Sequence, residues 1–328
     1  MPSRYELFDR NAVSLSPLAE RGHDLTADAC LPLAPPGQPY AHPKFVELVE
    51  AIVAARWKGR PVVVLMGAHP IKLGLSPFLV DLVERRIITH LGTNGAGIIH
   101  DFELASFGGT SENVARWIRA GQFGLWQETS RLNDIIRDAA ARDEGLGEAV
   151  GRAIEEQPTR WRHLSIAAAG WRAAVPITSH VAIGSDIIHA HPNCDGGAMG
   201  RTSYTDFLIF ARAIQDLEGG VFLNVGTSIM GPEVYLKALS MARNVNAGRE
   251  SPAAPPLPRH FTTAVFDLVD LPEDWQAGAP SKDHPLYYYR PWKTILVRTV
   301  ADGGASYYFS GDHRQTIPTL WSELVRRL

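Results

Sequence analysis

Continuous apolar runs alternate with segments of helical period along most of the chain, and that alternation sets the fold. Val62-Val63-Val64-Leu65-Met66 has no polar face, as expected of a strand covered on both sides. It breaks at Gly67-Ala68-His69-Pro70, after which Ile71 to Arg86 carries apolar residues at helical spacing. A second strand, Ile87 to Leu91, runs into Gly92-Thr93-Asn94-Gly95-Ala96-Gly97, and a helix follows from near Ile98 through His100 and Asp101. Strand, helix and strand in this order predict an α/β fold with a parallel sheet between two helical layers. Ligands of such sheets bind beyond the carboxyl ends of the strands, where these glycine-bearing tips lie.

The rest of the chain repeats the alternation. Residues 1–42, proline-rich toward their end, read as an extended arm, and 43–328 as a single α/β domain with no internal repeat. Helices are expected near Lys44 to Trp57, within Ser111 to Gln157, and at Tyr204 to Leu217, Glu233 to Arg243 and Ile317 to Leu328. Strands are expected at Pro176 to Gly184, Val221 to Val225, His260 to Leu268, Tyr287 to Val300 and Ser306 to Ser310.

Composition narrows the function classes. The chain has 328 residues, 45% hydrophobic and 20% charged, with a formal net charge of -3, which gives no reason to expect nucleic acid or a membrane surface. Two cysteines are too few for a disulfide framework. No leading apolar segment and no run of about 20 apolar residues is present, so a cytoplasmic protein is expected.

Three strand tips offer small or hydroxyl residues: Gly67-Ala68-His69, Thr93-Asn94-Gly95-Ala96-Gly97 and Gly226-Thr227-Ser228. Backbone N–H groups at such tips suit a pyrophosphate. No Gly-x-Gly-x-x-Gly run occurs, so tight strand-to-helix turns explain the same residues. The loop from Asp186 to Asp195 holds His189, His191 and Cys194, all possible zinc ligands with Asp195. A metal-dependent hydrolase is therefore one alternative, and hydrogen-bonded loop histidines are the other. Tyr287-Tyr288-Tyr289-Arg290-Pro291-Trp292-Lys293 sets a lysine among aromatic rings. Burial there would lower its pKa and expose the neutral amine that imine chemistry requires; a surface lysine beside core aromatics is the simpler alternative. Asp206, Asp267 and Asp270 are single carboxylates suited to a cationic substrate or to turn caps.

Taken in order, Ile71 to Val83, Thr93 to Asp101, Cys194-Asp195-Gly196 with Asp206, Thr263 to Asp270, and Gly311-Asp312-His313 are similar to the successive motifs of deoxyhypusine synthases. The chain resembles that family from about Val62 to its C-terminus. The resemblance implies a Rossmann-like, doubly wound, mainly parallel sheet in a homotetramer with active sites between subunits. It also implies NAD as cofactor and a polyamine such as spermidine as donor of an aminobutyl group, carried as an imine on a lysine to an amine acceptor. Carried onto this chain, Gly67, Ala68, His69, Thr93, Asn94, Gly95, His100, Asp195, Gly226, Thr227, Ser228, Thr263, Ala264, Asp312 and His313 would hold NAD. Asp206, Asp267, Asp270 and Trp292 would hold the amine, and Lys293 would be the nucleophile. No metal is implied.

The chain also departs from the family. Trp292-Lys293-Thr294 stands for Trp-Gly-Lys, Glu233-Val234-Tyr235 for Lys-His-His, Tyr288 for a glutamate, and His100 for a carboxylate. Fewer groups for a polycation leave NAD-dependent amine oxidation without group transfer as an alternative, and a small amine acceptor is as well suited as a protein lysine.

Overall fold

In the computed structural model, which describes residues 3–247 and 257–328, six strands form one parallel sheet. They are β1 (Val62–Met66), β2 (His90–Asn94), β3 (Ile177–His180), β4 (Val221–Val225), β5 (Thr262–Asp267) and β6 (Ala305–Ser310). Their spatial order is β3-β2-β1-β4-β5-β6 and every pairing is parallel. This is the order of a Rossmann doubly wound sheet, whose direction of winding reverses between β1 and β4.

The alternation of side chains explains why both faces are covered. Val62, Val64 and Met66 enter one core with helices α1 (Phe45–Trp57), α3 (Ser76–Glu84), α4 (Gly95–Phe107) and α11 (His313–Val325). Val63 and Leu65 enter the other, with α10 (Met230–Ala247), the second half of α9 (Gly196–Gln215) and the segment Pro291–Arg298. All five residues of β1 are buried, and each such aliphatic side chain contributes about 1.5–3 kcal/mol.

Several sequence expectations change in detail. Ile71 to Arg86 is two helices, α2 (His69–Lys72) and α3, because Gly74 takes φ +73° between them. The second strand starts at His90 rather than Ile87 and includes Thr93 and Asn94. Ser111 to Gln157 divides into α5 (Val114–Arg119), α6 (Arg131–Ala141) and α7 (Leu146–Glu155), and α8 (Ile166–Ala173) precedes β3. The expected strand from Tyr287 is instead a π-helix, Pro291–Arg298, the crossover between β5 and β6. Its run of aromatic and β-branched residues matches strand preference, but a parallel pair requires a crossover, and Trp292, Ile295 and Leu296 bury as a helical face.

The arm wraps the body. Leu18 and Leu25 are buried, Leu25–Thr26 pairs antiparallel with Gly109–Thr110, and Tyr40 donates its hydroxyl to the Ser310 carbonyl at 2.7 Å. No helix among the described residues is long and apolar enough to cross a membrane.

Candidate functional site at the carboxyl edge of the sheet

β1 and β4 end together where the winding reverses. Gly67 donates its N–H to the Val225 carbonyl at 3.1 Å, and a Cβ on Gly67 would lie 2.4 Å from the Gly226 carbonyl oxygen. Gly226 takes φ +58°, a left-handed conformation that glycine adopts without steric cost. Thr227 holds the turn into α10: its hydroxyl accepts from Gly231 N–H at 3.0 Å and its carbonyl from the Asn224 amide at 3.0 Å. Ser228 and His69 are exposed, and Ala68 is half-buried.

His313, the first residue of α11, faces this junction. A Cβ on Gly226 would meet its Nε2 at 2.8 Å, and its Nδ1 is buried without a partner among the described residues. Burial lowers its pKa, Asp267 and Asp312 pull the other way, and His69 adds to the lowering. Asp312 caps α11 through Arg314 N–H at 2.8 Å, and the Arg314 guanidinium at 2.6 Å holds its carboxyl below the usual range.

Asp267, the last residue of β5, joins this junction to a second cluster. Its Oδ2 accepts from the Tyr289 hydroxyl at 2.6 Å, and Asp270 accepts from the Ser310 hydroxyl at 3.1 Å. Two residues before Tyr289, the Tyr287 ring lies 3.9 Å from Lys293 Nζ, and the Tyr288 ring lies 5.7 Å from it. Lys293 is 4% exposed. Loss of water and the nearby guanidinium groups of Arg290 and Arg298 lower its pKa against the pull of Glu233. Glu233 itself is bound by Lys237 and lies 3.3 Å from Arg290, so its carboxyl stays below its ordinary value. The π-helix sets the lysine within electrostatic reach of Glu233, in the first turn of α10, and π turns are frequent at functional sites.

Other candidates lie elsewhere. Thr263 and Ala264 are buried within β5, well before its tip; Thr263 bonds the Ile295 carbonyl at 3.1 Å and Ala264 lies in the core. Trp292 is a core residue whose indole donates to the Trp275 carbonyl at 3.0 Å. Asp206 is fully buried, and one carboxylate oxygen accepts from Ser179 N–H at 2.7 Å and Gly147 N–H at 3.0 Å. It ties α7 and α9 to the edge strand β3, so no substrate reaches it. Burial pushes its pKa up to about 8. Asp195 is the exposed cap of α9, accepting from Gly197 and Ala198 amides at 2.9 and 3.0 Å. That helix begins eight residues before the expected Tyr204.

At the tip of β2, Asn94 caps α4 through Gly97 N–H at 2.8 Å, while the buried Thr93 hydroxyl has no partner among the described residues. A Cβ on Gly95 would lie 2.0 Å from Oδ2 of Asp186. The N-terminus of α4 thus already faces a carboxylate, which opposes a pyrophosphate there. His100 bonds Thr110 at 2.7 Å, and burial lowers its pKa to about 4.

The metal-ligand alternative fails on geometry. His191 Nε2 bonds the Gly124 carbonyl at 2.7 Å, and His189 Nδ1 accepts from Gly184 and Asp186 amides at 3.0 and 3.1 Å. Among the described residues no three His, Cys, Asp or Glu side chains are grouped to hold an ion.

No family model matches the chain, and no curated protein matches it. Solved structures similar to it include a LOR/SDH protein of Methanococcus maripaludis, at 15% identity over 89% of this chain and 74% of that one, with a TM-score of 0.48. A deoxyhypusine synthase candidate from Entamoeba histolytica follows at 11% identity over 85% and 88%, TM-score 0.46. The cyanobacterial arginine dihydrolase ArgZ is 15% identical over 88% of this chain, TM-score 0.46, and the chain spans only 32% of its length. These likenesses carry no argument about activity.

Proposed function

We propose that the chain is an NAD-dependent enzyme acting on amines, with Lys293 as the nucleophile that carries an aminoalkyl group. The observation that carries this reading is Lys293 itself: a lysine enclosed against the rings of Tyr287 and Tyr288, with Arg290, Arg298 and Glu233 close enough to act on its charge and a pKa lowered as a result. The junction of β1 and β4 fits a dinucleotide. Gly67 and Gly226 let the two strand tips and His313 close on one another, and the His313 Nδ1 is buried with no partner among the described residues. Gly67, Ala68, His69, Gly226, Thr227, Ser228, Asp312 and His313 would hold the cofactor, which when bound supplies a hydride acceptor for an amine carbon and returns that hydride later.

Lys293 contributes the remaining chemistry. Its neutral amine adds to the carbon–nitrogen double bond of the oxidised substrate, and the first amine leaves with a proton. The alkyl group then sits on Nζ as a protonated imine. An acceptor amine adds at the same carbon, Lys293 leaves as the neutral amine, and the product imine is reduced. Glu233, within the electrostatic reach of Lys293, balances the imine's positive charge. Asp267 and Asp270 would orient the substrate cation.

A second reading, oxidation of a simpler amine without transfer, is favoured by the burial of Asp206, which leaves fewer carboxylates for a polycation. Borohydride reduction of protein incubated with NAD and spermidine, followed by peptide mass spectrometry, tests the proposal. An aminobutyl adduct on Lys293 supports transfer. NADH formation without adduct favours the second reading, and neither product overturns both.

A further inference from the structure

Beside α4 lies a cavity of about 220 Å³, smaller than the roughly 300–1,000 Å³ of sites for drug-sized ligands. Arg21 and Glu103 line it, locked together by two bonds of 2.9 Å with both side chains 1% exposed. Glu103 also accepts from the hydroxyls of Thr110 and Thr129, each at 2.6 Å. That pair neutralises itself and has no capacity left for a ligand.

Two further carboxylates reach the cavity: Glu112, within electrostatic reach of Arg21, and Asp186, which has no lysine or arginine partner among the described residues. Glu112 accepts from the Trp126 indole at 3.0 Å and from Gly124 N–H at 3.1 Å, both neutral donors. Asp186 lines the wall with its side chain 8% exposed, and His189 Nε2, 3.9 Å from Oδ2, is beyond hydrogen-bonding distance. That Nε2 is itself buried with no partner among the described residues. The N-terminus of α4 supports Asp186 in part, and an ammonium would supply the full positive charge that an enclosed carboxylate otherwise lacks. Burial raises the pKa of Asp186 to about 6. Lys72 is the exposed cation of the lining, and its charge helps to keep His100 neutral. Ile99, Phe123 and Ile187 supply apolar wall.

A ligand that completes this arrangement carries an ammonium, a carboxylate and a short apolar body. We propose that the cavity binds a small zwitterion of the α-amino-acid class, with its ammonium on Asp186, its carboxylate toward Lys72 and an aliphatic side chain against Ile99, Phe123 and Ile187. The site is independent of Lys293 and of any dinucleotide, and a ligand here packs on the first turn of α4.

Calorimetry with L-leucine, 3-methylbutylamine and 4-methylpentanoate tests the assignment, since the latter two each keep one charge. L-Leucine is expected to bind, and each single-charge analogue to bind at least about tenfold more weakly, a difference of about 1.4 kcal/mol. Asp186→Asn is expected to abolish the preference of L-leucine over 4-methylpentanoate, and Lys72→Met its preference over the amine. Lys293→Ala is expected to bind L-leucine as the wild type does, whether or not NAD binds. No binding of L-leucine at millimolar concentration would overturn the proposal, as would unchanged preferences in folded Asp186→Asn and Lys72→Met proteins.

Discussion

Asp206→Ala is expected to damage folding rather than substrate recognition. The substitution removes the acceptor of two buried amides, Ser179 N–H at 2.7 Å and Gly147 N–H at 3.0 Å. A buried donor left unpaired costs about 1–3 kcal/mol, so the loss is about 2–6 kcal/mol, a large part of a typical domain's stability. Asp206→Asn keeps an acceptor oxygen in place and resembles the protonated acid that a pKa of about 8 implies at neutral pH, so it should cost far less. The pH dependence has a definite sign. The folded pKa lies above the unfolded value of about 3.9, so the carboxyl's contribution is fully present below that value. It is lost as pH rises toward about 8. Asp206→Asn does not titrate and should therefore gain stability relative to wild type between pH 5 and about 8. Urea unfolding of the three proteins across that range measures both effects. If Asp206→Ala unfolds with wild-type free energy, or if the Asn variant tracks wild type at every pH, the carboxylate does not latch the edge strand.

Gly67→Ala would put a Cβ 2.4 Å from the Gly226 carbonyl; forcing the two tips apart should cost about 1–3 kcal/mol and abolish NAD binding, which thermal unfolding and calorimetry check together. His90 and His180 bond the Thr178 hydroxyl, at 3.0 and 3.2 Å, and burial holds their pKa values at about 3 and about 4. Their folded values lie below the unfolded one, so stability is complete above about pH 6.5 and each histidine removes up to about 1.4 kcal/mol per pH unit below it. Urea unfolding of wild type against His90→Gln from pH 7 to 4 should show a shallower decline in the variant. Lys293→Met should reduce transfer of the aminoalkyl group by several orders of magnitude, because no nucleophilic amine remains, and should leave the unfolding midpoint near wild type, because it puts no charge into this buried position; turnover and circular dichroism check this.

The parts legible in the sequence were those with local signals. β1 is an apolar run closed by Gly67 and β4 a largely apolar run closed by Gly226, so the centre of the sheet and its glycine tips could be read from run and punctuation. The π-helix was not legible, because Tyr287 to Val300 has the composition of a strand and only the crossover between parallel neighbours excludes one. The early start of α9 was hidden by Gly196-Gly197, which read as loop, although Asp195 before them is a good cap. Asp206 misled because a carboxylate on an amphipathic helix reads as exposed, and its amide partners come from 59 and 27 residues away. The cavity beside α4 had no signal at all: Arg21, Lys72, Glu112 and Asp186 meet only in three dimensions.

Calorimetric titration of the purified protein with NAD, repeated with spermidine and with putrescine while absorbance is followed for NADH, tests the central claim most directly. The account predicts one saturable NAD site, lost in Gly67→Ala, and NADH that forms only when an amine is added. A protein that is folded yet binds no NAD would contradict it.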